Sequence, residues 1–258
     1  MNAKARTRVL LLVVAAVALL AAGPLGIGGG PVAEAKEGAR GKVKQVECRP
    51  QSPQKFLKRR TFVRKGMLDP KKHAKAVKYL AEHYGHVETE ETRRYNPESA
   101  FSQATTVRFM GLPLSIHERV APLLTCVEKR IRATCTRKKR YTPHAVGGFR
   151  TANSYRGAEI SNHLFGIAID IDPERNPCCG CVDPWPTSPL CQEKKRTAYE
   201  RTSLTRCWIQ AFERYGFDWL GHDDLEDTMH FEFLGDPDRI DGKKKKTTTK
   251  TAKTKAKT

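Results

Sequence analysis

Residues 161–172 read Ser-Asn-His-Leu-Phe-Gly-Ile-Ala-Ile-Asp-Ile-Asp, and residues 227–233 read Asp-Thr-Met-His-Phe-Glu-Phe. Both stretches alternate. Ile167, Ile169 and Ile171 fall on one side of a strand, with Ala168, Asp170 and Asp172 on the other. Met229, Phe231 and Phe233 likewise share a face and leave His230 and Glu232 opposite. Two strands with their apolar backs in a core would bring Asp170 and His230 onto one polar face, near His163. Two imidazoles and a carboxylate, with a position left for water, make up the ligand set of a catalytic zinc. A strand-borne Asp170 between isoleucines would be costly to bury without such a partner. Asp227, three residues before His230, is close enough to exchange a proton with an attacking water. Asp172 and Glu232 share the ligand-bearing face, where they are expected to orient the histidines.

The chain has 258 residues and a formal charge of +19. Its first 35 residues have the form of an export signal: Lys4, Arg6 and Arg8, an apolar run from Val9 to Ala22, then Ala33-Glu34-Ala35 as a cleavage site. The run is short for a membrane span, which needs about 20 apolar residues, and an uncleaved anchor is the alternative reading. Residues 36–60 are polar, basic and without periodicity, a linker or an arm fixed by Cys48. Residues 241–258 form a Lys-rich tail that can bury nothing and is expected to be disordered. Between them, residues 61–240 are long enough for one domain with a real core. Residues 243–258 hold eight lysines, and the signal removes a net two charges, so residues 36–242 carry +9.

In an exported chain the eight cysteines, Cys48, Cys126, Cys135, Cys178, Cys179, Cys181, Cys191 and Cys207, read as disulfides. Eight cysteines permit 105 pairings, and sequence does not choose among them. Cys126 and Cys135 flank a basic segment and are placed to close a local loop. Cys178-Cys179-Gly180-Cys181 with Cys191 suits disulfides pinning a Pro-rich loop, with a structural zinc site as the alternative.

Asp69-Pro70 signals a helix that Gly85 stops, with Ala74, Val77, Leu80 and Ala81 as its stripe. Residues 88–103 read as a loop. Ser115 with Glu118 has the form of a capping box for a second helix carrying Val120, Leu123, Leu124, Val127 and Ile131. A short strand is expected over 145–149 and a third helix over 203–215. Helices before and between antiparallel-looking strands give an α+β fold.

On these residues the chain resembles the zinc D-alanyl-D-alanine carboxypeptidases and their L-alanyl-D-glutamate endopeptidase relatives. Ser161, His163, Gly166, Ala168 and Asp170 match that family's S-x-H-x-x-G-x-A-x-D pattern. Asp227 and His230 match its D/E-x-x-H, and Gly148-Phe149-Arg150 its upstream G-[YF]-R, all in the family's order over about residues 105–235. The resemblance implies a small antiparallel sheet flanked by helices, the Hedgehog/D,D-peptidase arrangement, here with disulfides added. It implies one catalytic Zn2+ on His163, Asp170 and His230, and Asp227 as general base. Arg150 would act on the scissile carbonyl or a substrate carboxylate, and Ser161 on the substrate peptide. The substrates it implies are peptidoglycan stem peptides, cleaved outside the cytoplasmic membrane by a monomer.

Other classes fit less well. A zinc-stabilised cell-wall-binding module would need the ligands but neither Asp227 nor Arg150. A specific nucleic-acid binder is disfavoured by the export signal and by basic residues that do not interleave with aromatics on one element. The tail suits weak, salt-dependent attraction to anionic envelope polymers. His222 is close to the site in sequence, with a surface-loop role as the plainer expectation, and His73, His83, His86, His117 and His144 are expected to be structural.

Overall fold

The computed structural model describes residues 46–135, 140–155, 158–181, 185–192 and 197–240, all within a unit spanning residues 42–258. The expected export signal and Lys-rich tail lie outside the described residues. Among the described residues, no helix is long and apolar enough to cross a membrane. A small hairpin comes first, β1 (Val63–Arg64) and β2 (Met67–Leu68), turned at Lys65 and Gly66 with positive φ. Asp69 then caps α1 (Pro70–Tyr84) by accepting from the Lys72 N–H, and Gly85, at φ 95°, ends it. The polar stretch beyond it holds one turn of helix, α2 (Glu90–Arg93). A second hairpin follows, β3 (Ala104–Phe109) with β4 (Leu112–His117), and then α3 (Ala121–Thr134). The chain continues through β5 (Val146–Gly147), β6 (Ala168–Ile171), α4 (Pro189–Gln192), α5 (Arg206–Glu213), β7 (Phe217–Trp219) and β8 (His230–Phe233).

The expected capping box at Ser115 is not what forms. Ser115 lies inside β4, opposite Thr106, and α3 begins at Ala121 with Pro122 in its first turn. Leu114 and Ile116 are buried from β4, so strand pairing and burial override the local cap signal. The third helix is shorter than expected and starts at the Thr205 cap.

The central sheet is antiparallel, in the order β5-β6-β8-β7. With α1, α3 and α5 around it the fold is α+β. Its apolar face is built by Ile169 and Ile171 of β6 and by Phe231 and Phe233 of β8. Phe212 of α5 stacks on Phe231 at 4.2 Å between centroids and meets Phe217 edge-on at 5.3 Å. Each of these aromatic side chains is fully buried, so burial there fixes which way every strand faces.

All eight cysteines are paired: Cys48–Cys126, Cys135–Cys207, Cys178–Cys181 and Cys179–Cys191. The local Cys126–Cys135 loop is therefore corrected. Each of those residues is tied to a distant segment: Cys126, inside α3, to the basic arm, and Cys135, at the C-terminal cap of α3, to α5. The described part of the arm is held at several points. Gln51 N–H donates to the Arg214 carbonyl at 3.0 Å, and Gln54 N–H to the Leu234 carbonyl at 2.8 Å. Lys58 pairs with Asp218 at 2.6 Å, while Arg59 takes Glu159 at 2.7 Å and Asp223 at 2.6 Å. The basic arm is thus a strap whose cations neutralise acids on the polar side of the sheet. The Arg59 side chain is only 11% exposed. Arg59→Ala would leave Glu159 and Asp223 buried without their counter-charge, and is expected to cost about 3–5 kcal/mol in denaturant unfolding; a change below about 1 kcal/mol would show the strap to be decorative.

Candidate metal centre

The register of β6 against β8 sets Asp170 directly opposite His230, and Ala168 opposite Glu232. Side chains at such paired positions share a face, so the pairing puts a carboxylate beside an imidazole. His230 Nδ1 lies 2.9 Å from Asp170 Oδ1. The loop before β6 brings the third group: His163 Nε2 is 3.2 Å from Asp170 Oδ2 and 3.2 Å from His230 Nδ1. One potential ligand atom from each of the three residues falls within a 4.8 Å cluster, and all three residues are buried.

Glycines allow this loop to close. Gly166 has a φ of 65°, and a Cβ there would strike the Phe149 ring. A Cβ on Gly148 would strike the Ser115 carbonyl oxygen. Gly148 instead lies against β4 and turns its own carbonyl onto His163 Nδ1 at 2.6 Å. The neighbouring Phe149 N–H donates to the Ser115 carbonyl at 2.8 Å, and the Arg150 N–H to the His163 carbonyl at 3.2 Å. The Gly148-Phe149-Arg150 segment is thereby clamped between β4 and the His163 loop.

The hydrogen bonds also fix which ring nitrogens are bare. Bonding to the Gly148 carbonyl requires His163 Nδ1 to carry the proton, which leaves Nε2 with its lone pair. His230 Nε2 faces Glu232 Oε2 at 3.4 Å, so its Nδ1 is the nitrogen turned toward the cluster. Two such nitrogens and a carboxylate in van der Waals range, in a buried place, call for a positive charge between them. Without a metal, a proton on His230 serves. Burial opposes that charge, but the hydrogen bonds to Asp170 and Glu232 outweigh it and raise the His230 pKa to about 10. Burial lowers that of His163. Asp170 is also opposed by burial, yet the two imidazoles hold it well below the usual carboxylate range.

Asp227 sits one tight turn before β8, with the His230 N–H 3.4 Å from its carbonyl. The residue is 8% exposed, and its Oδ1 has no hydrogen-bond partner. Burial, with His230 acting against it, raises its pKa to about 7. Arg150 pairs with Asp170 through Nη2, and Nη1 lies 3.4 Å from Ser154 Oγ. Ser161 is buried and its Oγ accepts from the His163 N–H at 3.4 Å.

These residues face a cavity of about 490 Å³, which Arg150, Ser161, His163, Asp170, Asp227 and His230 all line. Its other walls come from three further segments. Arg59 and Gly66 enter from the strap and the first hairpin, Tyr155 and Glu159 from the segment before Ser161, and Cys178, Cys181 and Trp185 from the Cys-rich loop. Nothing in the sequence distinguishes Arg59 from 46 other Lys and Arg residues.

Asp172 needs correcting. Its φ of 42° breaks the two-residue alternation at the end of β6, and its carboxylate turns away from the histidines. It accepts from Tyr141 Oη at 2.5 Å, His144 N–H at 2.7 Å and Ala145 N–H at 2.6 Å, and so orders the approach to β5. Glu232 does lie beside His230 and is itself held by Asn162 Nδ2 at 2.7 Å. His222 points into a separate groove, where it meets Glu213 at 3.1 Å.

A model of the D-alanyl-D-alanine carboxypeptidase family matches residues 155–233, a span that holds Ser161, His163, Asp170, Asp227 and His230. No curated protein and no solved structure matches the chain. Arg150 and the strap lie outside the matched span, and the family match supports a peptidase.

Proposed function

We propose that the protein is an exported, zinc-dependent peptidase that hydrolyses peptidoglycan stem peptides, with removal of a terminal D-alanine as its main reaction. The observation that carries this reading is the convergence of His163 Nε2, His230 Nδ1 and the Asp170 carboxylate on a cavity beside Asp227. The ligand set suits the ion: two imidazoles with their bare nitrogens turned inward and one carboxylate are what a catalytic zinc takes from a protein. When bound, zinc would bring water close to ionisation at neutral pH and polarise the scissile carbonyl. The four disulfides suit an oxidising compartment, which supports export. The sheet and its flanking helices are assigned to the Hedgehog/D,D-peptidase arrangement as part of the same proposal.

The chain's own groups divide the work. Asp227, poised near neutral pH by burial, takes the proton of the attacking water and returns it to the leaving amine. Arg150 stands with its guanidinium at the cavity, 40% exposed along its side chain, and stabilises negative charge on the substrate. Ser161 positions the peptide backbone from the cavity wall. Glu232, by accepting from His230 Nε2, holds that ring in register, and the Gly148 carbonyl does the same for His163.

Digestion of purified muropeptides, read by mass analysis, separates the outcomes. Loss of one D-alanine from pentapeptide stems is expected from the zinc-loaded enzyme, and Asp227→Asn is expected to lower kcat by about 10²–10⁴-fold with zinc content unchanged. Cleavage between L-alanine and D-glutamate would reassign the scissile bond. No product from fully zinc-loaded protein would leave a binding module. A second measurement concerns the ligand support alone: Gly148→Ala pushes the backbone off Ser115 and the carbonyl off His163, and is expected to weaken zinc affinity by about 10–100-fold in competition with a chromophoric chelator. Unchanged affinity would remove the Gly148 carbonyl from the account.

A further inference from the structure

The Cys-rich loop docks directly on the turn that carries Asp227. Cys178 is bridge-paired with Asp227, the Cys179 N–H donates to the Glu226 carbonyl at 3.3 Å, and the Gly180 N–H to the Leu225 carbonyl at 2.7 Å. A Cβ on Gly180 would fall 2.7 Å from the Leu225 carbonyl oxygen, so the docking is as close as glycine allows. As a result the two sulfurs of Cys178 and Cys181 and a carboxylate oxygen of Asp227 cluster within 4.8 Å, on the cavity wall and apart from the His163–Asp170–His230 group. Asp227 also brings a buried oxygen with no hydrogen-bond partner.

We propose that Cys178, Cys181 and Asp227 form a second metal site, one that opens when the Cys178–Cys181 disulfide is reduced and takes a thiophilic divalent cation such as Zn2+ or Cd2+. The C-x-x-C spacing lets two sulfurs grip one ion, and thiolates select zinc-like and softer metals over calcium or magnesium. The opening step needs a two-electron reductant of the phosphine or dithiol class. With a trialkylphosphine, phosphorus attacks one sulfur and the S–S bond breaks. Water then supplies the oxygen of the phosphine oxide and the two protons of the thiols. Binding of the cation displaces both thiol protons, and the third ligand is the Asp227 carboxylate, whose Oδ1 has no hydrogen-bond partner in the oxidised protein. Cys181 is partly exposed at the cavity, which gives a reductant its way in. The site itself is independent of the peptidase reading. Its consequence rests on that reading: a metal held by Asp227 withdraws the general base, so the reduced, metal-loaded enzyme is inhibited until it is chelated or reoxidised.

The test is Cd2+ titration of the full chain after phosphine treatment, followed by the ultraviolet thiolate-to-cadmium charge-transfer band. Near-ultraviolet circular dichroism monitors the fold. The expected result is one cadmium with two thiolates in the reduced protein and no band in the oxidised protein. Cys178→Ser/Cys181→Ser should lose the band, while Cys179→Ser/Cys191→Ser should keep it. Asp227→Asn should weaken cadmium binding by more than about ten-fold, the loss that removal of a mere outer partner would already cause. His163→Ala should leave the band in place, which separates this site from the catalytic one and its failure from failure of the peptidase reading. The proposal is overturned by a band that survives Cys178→Ser/Cys181→Ser or ignores Asp227→Asn. It is equally overturned if folded, reduced protein shows no band, or if reduction abolishes the native dichroism.

Discussion

The pairing of Asp170 with His230 across β6 and β8 is the constraint on which the site depends. It is set from behind. Ile169 faces Phe231 in the same ladder, and Phe231 is stacked on Phe212 of α5. Slipping the register by one residue would turn every apolar side chain of β8 out of the core and every polar one into it. The energy that holds the imidazole against the carboxylate is therefore mostly hydrophobic, spent on the opposite face of the sheet. Their own attraction contributes less, because both groups lose water when buried.

What the sequence revealed follows from this division. Alternation is a local signal, so the faces of β6 and β8, and hence the meeting of Asp170 with His230, could be read from two short stretches, while His163 came from its place in the family-like pattern. Signals that depend on distant partners misled or stayed silent. Ser115 and Glu118 carry a valid cap pattern, but Ser115 is claimed by its strand partner Thr106. Asp172 continues the alternation on paper, yet a positive φ ends the strand at that residue. The pairing of Cys48 with Cys126 joins residues 78 apart, and no spacing rule reaches that far. The strap was equally hidden, because a run of basic residues without periodicity looks the same whether it is solvated or clamped onto buried acids.

The charges around the cavity explain why the strap belongs to the working domain. Glu159, Asp170, Asp218, Asp223, Asp227 and Glu232 are each at most 9% exposed. Buried carboxylates at this density repel one another and lack water, so each needs a counter-charge or a hydrogen bond. Arg59 serves Glu159 and Asp223, Lys58 and Arg60 serve Asp218, and the imidazoles with Arg150 serve Asp170. Glu232 has Asn162 and His230. Three of these cations come from residues 58–60, outside the span matched by the family model. A fragment cut to residues 155–233 would keep the acids and lose the cations that make their burial tolerable. Asp227 and Glu232 each keep one buried oxygen without a hydrogen-bond partner, but only Asp227 is raised by burial to about 7. Of the buried acids, Glu159, Asp170 and Asp227 line the cavity, and Asp227 is the one without a cation paired to it there, the kind of perturbed carboxylate that the proposed peptidase chemistry requires at neutral pH.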